Sequence, residues 1–570
     1  MRVAVGRSVL LAVVLGVGSC GKPTSTTPPG GVVGGVVGSV SNEPWPILST
    51  DLLALVPADT PYVFAAEEPL PAEAIQRLDP VIAPLVQLAE LAFAEAYDDA
   101  EPDFKQALDA VFGGKPTLDR AKAIGLDFNP RFVFYGIGMA PVLRIRLRDR
   151  DAFVAALRRG AEVGGEVGPI PEFHGQSYIA DVDDESGTET VAAVVGPDLV
   201  LTWIPEGGPR DELLALAFGQ RLPERSLAQS GTLDEVRRRH GLTHSAGGYF
   251  DWEQLAAGAL GYASPLQTRV AAAYVGAPPD DPVCKAEMLR LLSYAPRLVT
   301  GWTAGKTSLS WATTVELEPS VAQRVAKLPD AIPQIDVPKG GALGTFGLGL
   351  NLEALGELVR AYADELKRQP FQCELFTDLN DTSELTSAFD ELPPQLMKLS
   401  GFSVSVHDFV FEPEKRIDMV MVADLDDPKG ALEAVAKKSP ELRPDKLRLR
   451  RPVKLNKVLD KDSVPQDVWV AMGKHSLGVS IGKVGRKPLL SSLDRRRPAD
   501  GTIMLWSFDT AEWIARDPNR VEKLYRLEGQ LGMEFIAGFV ELMSAAEMRL
   551  EATELGLRLA VEVREPTAGR

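Results

Sequence analysis

Gly473-Lys474-His475-Ser476-Leu477-Gly478 sets a histidine and a serine side by side between glycines, the residue types of a turn that exposes a nucleophile. That chemistry needs a glycine two places before the serine, because the strained turn leaves no room for a side chain, and Lys474 stands there. It also needs a later histidine as base, and His475 is the last in the chain. The segment therefore reads as a strand–turn–strand hairpin. Gly301-Trp302-Thr303-Ala304-Gly305-Lys306-Thr307 is one residue short of a phosphate-binding loop, which must lead from a strand into a helix whose N–H groups hold the phosphate. Ser308 to Val315 instead alternates as a strand, so a hairpin turn is expected here too. Asp181-Val182-Asp183-Asp184-Glu185-Ser186-Gly187 has the carboxylates of a calcium loop, but its glycine falls one place late and Ala192 occupies the position of the bidentate glutamate. His240 and His244 have the spacing of two ligands on a helix, yet Gly241 and Thr243 argue against a helix between them. Neither Cys284 nor Cys373 has a second cysteine close by, as a zinc site would require. The sequence thus predicts no catalytic residue, no cofactor and no metal site.

Two basic stretches are better candidates for binding. Lys446, Arg448 and Arg450 alternate with Leu447 and Leu449, and Arg144, Arg146 and Arg148 alternate with Ile145 and Leu147. Alternation of this kind predicts a strand with one basic face. Such a face could take an anionic glycan or a partner's carboxylates, or it could pair with acids on the neighbouring strand.

These segments sit in a body that reads as a tandem duplication. Leu147 to Leu157 can be laid on Leu425 to Val435, with Asp149 matching Asp427; in each copy an alternating strand (Val142 to Leu147; Met419 to Leu425) runs into a helix capped by that aspartate. Pro428, at the first helical position, strengthens the reading. Val194 to Leu201 matches Ala471 to Gly478 at nearly the same offset, and the pairs Phe250-Asp251 with Phe508-Asp509 and Val315 to Leu317 with Val561 to Val563 follow in the same order. The expected fold class is α+β, a tandem duplication of antiparallel sheet units with helices packed on one face. The expected organisation is a signal segment at 1–19, a modified cysteine and tether at 20–46, a first α+β half at 47–328, a Pro-rich junction at 329–339, a second half at 340–566 and a tail at 567–570.

At the N-terminus, Arg2 and Arg7 precede an apolar run from Val9 to Val17, too short for a bilayer, which needs roughly 20 residues. The run ends in Val17-Gly18-Ser19-Cys20, which resembles the lipobox of bacterial lipoproteins, with Val where Leu is commoner. The resemblance implies lipidation of Cys20, and Gly21 in place of Asp implies outer-membrane sorting on the periplasmic side. Gly21 to Pro46 is mostly Gly, Pro, Ser, Thr and Val without periodicity, a composition that behaves as a flexible leash. The body, through its opening Leu55-Val56-Pro57-Ala58-Asp59-Thr60-Pro61, resembles exported bacterial proteins of a family with no assigned activity. In an oxidising compartment Cys284 and Cys373 are candidates for a disulfide, the alternative being two buried thiols. With 61 Lys and Arg against 79 Asp and Glu, the formal charge of −18 disfavours nucleic acid as a partner. The expected function is a non-catalytic envelope scaffold or partner-binding protein, attached to a membrane through its N-terminal lipid and meeting an envelope protein or cell-wall glycan. A carrier of an apolar ligand in a cavity between sheet and helices is the alternative, and an enzyme of unrecognised class ranks third.

Overall fold

In a computed structural model of the chain the described residues are 51–564, except 71, 73–74, 76–96, 99–101, 164–170, 184–186, 244–245, 305–307, 337–341, 411–415, 440–441, 456–457, 459–467, 483–484 and 509–545. Cys20, the signal segment and the tether lie outside them, as do His244, Asp184 to Ser186 and Gly305 to Thr307. The protein is α+β, with antiparallel sheets and helices in each of two compact units, and the chain divides between them after Asp280.

The first unit holds β1 (Tyr62–Ala66), β2 (Phe132–Ile137), β3 (Ala140–Arg146), β4 (Glu172–Phe173), β5 (Gln176–Ser177), β6 (Ile179–Asp183), β7 (Thr188–Val195), β8 (Asp198–Pro205) and β9 (Gly247–Asp251). Its main sheet runs β6-β7-β8-β3-β2-β1-β9, every neighbour antiparallel. One face carries Leu143, Leu199 and Leu201 against helices α1 (Pro102–Phe112) and α2 (Arg150–Val163), which contribute Leu108, Val111, Phe112, Phe153 and Ala156. Asp149 starts α2 by accepting the N–H of Ala152 at 2.9 Å.

Helices on one face only was the expectation, and it is corrected here. Val142, Arg144 and Val200 point to the opposite face and are buried as well. There α3 (Arg210–Ala217) covers them, its Ala217 carbonyl accepting from Arg144. The near-continuous apolar run Asp198-Leu199-Val200-Leu201 is the mark of a strand buried on both sides.

The second unit holds β10 (Arg297–Ala304), β11 (Ser308–Glu316), β12 (Ile332–Pro333), β13 (Gly344–Gly349), β14 (Leu399–Val410), β15 (Arg416–Leu425), β16 (Val453–Lys454), β17 (Val468–Met472), β18 (Ser476–Ile481), β19 (Arg496–Arg497), β20 (Thr502–Phe508), β21 (Ala546–Thr553) and β22 (Gly556–Arg564). Its antiparallel sheet runs β10-β11-β22-β21-β20-β13-β14-β15-β18-β17-β16. β11 pairs along β22 from Ser308↔Arg564 to Glu316↔Gly556. That ladder ties the β10–β11 hairpin to this unit, which is why the division falls upstream of the Pro-rich segment expected to mark it at 329–339.

Helices of this unit include α4 (Pro282–Tyr294), α5 (Leu352–Arg368), α6 (Ser383–Asp390), α7 (Pro428–Lys438) and α8 (Arg486–Ser492). Asp427 caps α7 through the N–H of Gly430 at 3.0 Å, with Pro428 in its first turn. β18 again has both faces covered: Leu477 and Val479 pack in a core with Leu432 of α7, and Gly478 lies under α8. No helix among the described residues is long and apolar enough to cross a membrane.

A candidate anion-binding cleft

The β17–β18 hairpin supports the segments that line the site. A side chain at Gly473 would put its Cβ 2.3 Å from Asp494 Oδ1 and 2.4 Å from Ser476 Oγ, so the turn closes only around glycine. Asp494 fills that space. Its Oδ1 accepts from His475 N at 2.9 Å and from the Ser476 hydroxyl at 3.0 Å, and its own N–H donates back to Ser476 Oγ at 3.0 Å. The serine that looked like a nucleophile is thus bound on both sides, and a strand, β18, follows it, as the residue types require.

Helix α8 lies against this hairpin because Gly478 makes room for it: a Cβ there would stand 2.6 Å from Leu489 and 3.1 Å from Leu493. Leu489 and Leu493 complete a core with Val420, Val422 and Ala471. Burying that edge leaves Arg486 and Lys487 exposed on the outer side of the helix. Arg486 is placed by Trp469 of β17, its guanidinium carbon 4.5 Å from the ring centroid, while Lys454 Nζ lies 5.5 Å from the same ring.

Arg450 closes the third side. The alternating segment Lys446-Leu447-Arg448-Leu449-Arg450 is not the strand its pattern predicted. Pro444–Lys446 is a 3-10 helix, Arg448 and Arg451 face each other across a tight turn, and Arg450 takes a left-handed backbone at φ 52°. Pro444 starts the 3-10 turn with a preset φ and no N–H to donate to a ladder. The Arg450 N–H donates to Met472 O at 2.7 Å, its Nη2 donates to Leu490 O at 3.2 Å, and its Nη1 lies 3.5 Å from Asp494 Oδ2. Asp494 is itself left-handed at φ 62°. Burial pushes its carboxyl up, but the His475 and Lys474 N–H groups, the Ser476 hydroxyl and Arg450 outweigh that and hold it below the usual aspartate range.

The result is an open cleft of about 510 Å³ lined by Arg450, Pro452, Arg486, Lys487, Leu490 and Ser491. Three cations border it, and Asp494 pairs with one of them; among the described residues no carboxylate pairs with Arg486 or Lys487. Guanidinium forks suit planar oxyanions, and Pro452 and Leu490 supply an apolar floor. No family model matches this chain, and neither a curated protein nor a solved structure matches it.

Of the residues singled out in the sequence, only Arg450 reaches this cleft; Lys446 and Arg448 are exposed beside it. Arg144 and Arg146 are turned inward and pair with Asp198 of β8, at 3.5 and 2.6 Å, while Arg148 is exposed past the end of β3. Cys284 and Cys373 are joined, with Cα atoms 4.9 Å apart. His240 ends a helix, with Gly241 left-handed after it, so no helix continues toward position 244. Among the described residues no three His, Cys, Asp or Glu side chains gather as a metal site would need. No motif marks Arg486, Lys487 or Trp469. The run Gly485-Arg486-Lys487-Pro488, a cationic helix start after a glycine, was the available signal.

Proposed function

We propose that this chain is a non-catalytic lipoprotein of the cell envelope, held to the outer membrane by lipid on Cys20, whose folded body binds carboxylate-bearing partners in the cleft of Arg450, Arg486 and Lys487. The observation that carries this reading is the cleft itself: three cations line it and, among the described residues, a carboxylate pairs with Arg450 alone, in a chain of formal charge −18. Its charge favours an anionic partner over an apolar one. The Cys20 assignment rests on the lipobox-like Val17-Gly18-Ser19-Cys20 and the leash after it.

The body is, on this reading, a tandem duplication. Its support is that the pairings β1–β2, β2–β3, β3–β8, β7–β8 and β1–β9 have counterparts in β13–β14, β14–β15, β15–β18, β17–β18 and β13–β20, in the same chain order. The caps Asp149 and Asp427 fall at equivalent places in the two series.

Calorimetric titration with poly-L-glutamate tests the cleft. The wild-type chain should bind it, and Arg450→Ala/Arg486→Ala/Lys487→Ala should bind at least about tenfold more weakly, a difference of about 1.4 kcal/mol. Equal affinity would overturn the assignment. Cys20→Ala should move the protein from the membrane fraction to the soluble one, and sedimentation with membranes after a high-salt wash would refute the anchor.

A further inference from the structure

The second unit carries a surface that is the chemical complement of its own cleft. Residues 369–397, which follow α5, contain six Asp and Glu and neither Lys nor Arg. Within them Leu375, Leu379 and Leu385 are 76%, 42% and 55% exposed, and the acids Glu374, Asp378, Asp381 and Glu384 stand among them, also exposed. Isolated exposed leucines need no explanation, but three within eleven residues, on the 3-10 helix Glu374–Asn380 and the start of α6, form a patch.

Several independent ties hold the 3-10 segment. Cys373 is bonded to Cys284 of α4. Glu287, one turn along α4, accepts from the N–H groups of Gln372 and Cys373 at 2.7 and 2.8 Å. The Asn380 side chain accepts from Phe371 N at 2.8 Å and donates to Phe371 O at 2.9 Å, which closes the loop on itself. The Arg290 guanidinium sits 4.7 Å from the centre of the Phe371 ring. The backbone that carries Leu375 and Leu379 is fixed between these ties, so little backbone entropy is lost when they are covered.

We infer that the cleft receives this acidic, leucine-bearing knob from a second copy of the chain. The inference rests on the carboxylate-binding reading of the cleft and names the partner. Charge and polarity match on both counts. Arg450, Arg486 and Lys487 face Glu374, Asp378, Asp381 and Glu384, and the Pro452 and Leu490 floor, with exposed Leu449 beside it, faces the leucines. At physiological ionic strength the Debye length is about 8 Å, so contacting charges still attract while repulsion between two acidic chains is largely screened. Lipid anchoring confines copies to one surface and raises their effective concentration, so a weak junction suffices there. Each copy offers one cleft and one knob, a heterologous junction that can close or propagate.

Sedimentation velocity on the full chain carrying Cys20→Ser, which removes the lipid, tests this directly. One variant reverses the cleft (Arg450→Glu/Arg486→Glu/Lys487→Glu) and another reverses the knob (Glu374→Lys/Asp378→Lys/Glu384→Lys). All six positions are exposed, and circular dichroism would check that both variants fold. The unreversed chain should associate as its concentration rises, and each variant alone should need at least about tenfold more protein to do so. An equimolar mixture of the two should restore association, because the intact cleft of one variant meets the intact knob of the other and the two reversed surfaces are again opposite in charge. A chain that stays monomeric up to about 1 mM, a variant that associates as the parent does, or a mixture that fails to associate would each overturn the inference. Poly-L-glutamate titration of the same sample separates the two readings. Binding by a chain that remains monomeric leaves the cleft assignment standing and removes the self-association, whereas no binding removes both.

Discussion

The β3–β8 pair of the first unit and the β15–β18 pair of the second solve one electrostatic problem in opposite ways. In the first, Arg146 lies across from Asp198, and the acid also meets Arg144, which is only 2% exposed. Both arginines are thereby turned into the fold. In the second, the residue across from Ser476 is Asp424, buried, whose partner is Arg496 of β19 at 2.7 Å. No strand arginine is needed there, and Ser476 instead recruits Asp494, which holds Arg450 at the surface. The first pair therefore uses its cations inside the fold, and the second leaves Arg450 displayed at the surface. A run of alternating basic residues therefore does not by itself mark an exposed face: Arg144 and Arg146 are answered by the acid of the neighbouring strand, and Lys446 to Arg450 form a turn.

Covalent chemistry gives the largest expected difference between the units. The second is stapled by Cys284–Cys373, 89 residues apart, and the first has no cysteine among its described residues. Cys284→Ser/Cys373→Ser should destabilise the second unit by roughly 4–5 kcal/mol in the chain-entropy model. Denaturant unfolding followed by proteolysis and mass spectrometry would locate the change. An equal loss in peptides of the first unit would contradict the view that the units are separately stabilised.

Asp198→Ala should come next, at about 3–5 kcal/mol, because it leaves Arg144 buried without its countercharge. Asp424→Asn should do far less. Burial raises the Asp424 carboxyl above the ordinary range despite Arg496, and Arg496 is partly exposed and can be solvated. Its sign is also opposite to that of Asp494. Asp424 in the folded state holds its proton more tightly than in the unfolded chain, so its ionisation weakens the fold as pH rises through the raised value. Asp494 is depressed, so its contribution is complete above about pH 4, the unfolded value, and is lost as pH falls through the folded one. Asp494→Asn should then destabilise by about 1–2 kcal/mol at neutral pH, through weakened charge-assisted hydrogen bonds, and the gap should close in acid. Urea midpoints of the wild type, Asp424→Asn and Asp494→Asn across that range would show whether the two acids trend in opposite directions.

What was legible in the sequence follows from how local each signal is. The α+β class, the hairpin at Gly473 and the caps Asp149 and Asp427 depend on residues a few places apart, and each could be read. That β3 and β8 are buried on both faces depends on α3, which follows β8 but is distant in sequence from β3, and only the unbroken Leu199-Val200-Leu201 run hinted at it. The misreading at Lys446 to Arg450 has a plain cause. A five-residue alternation is compatible with a strand and with a turn, and Pro444 before it and Pro452 after it were the better evidence. The cleft could not be assembled from sequence because Arg450, Trp469 and Arg486 come from separate segments that only the packing of α8 on Gly478 brings together.

The smallest expected effect tests why an arginine occupies position 450. Its side chain is 54% exposed and its ion pair with Asp494 spans 3.5 Å, so the pair contributes about 0–1 kcal/mol. Its left-handed backbone works against the fold by about 1–2 kcal/mol relative to a residue without a Cβ. Arg450→Ala loses the pair and keeps the strain, whereas Arg450→Gly loses the pair and relieves it. The glycine variant should be more stable than the alanine variant by about 1 kcal/mol, since both lose the pair and the bond to Leu490 O and only glycine relieves the strain. Both should lose affinity for poly-L-glutamate to the same extent. Residues held in such conformations cluster where strain serves function, and Arg144, on an unstrained strand, is the contrast. If alanine and glycine at 450 prove equally stable, the left-handed turn carries no strain and Arg450 stands there at no expense to the fold. If glycine is the more stable and only arginine binds, the position is held by its charge.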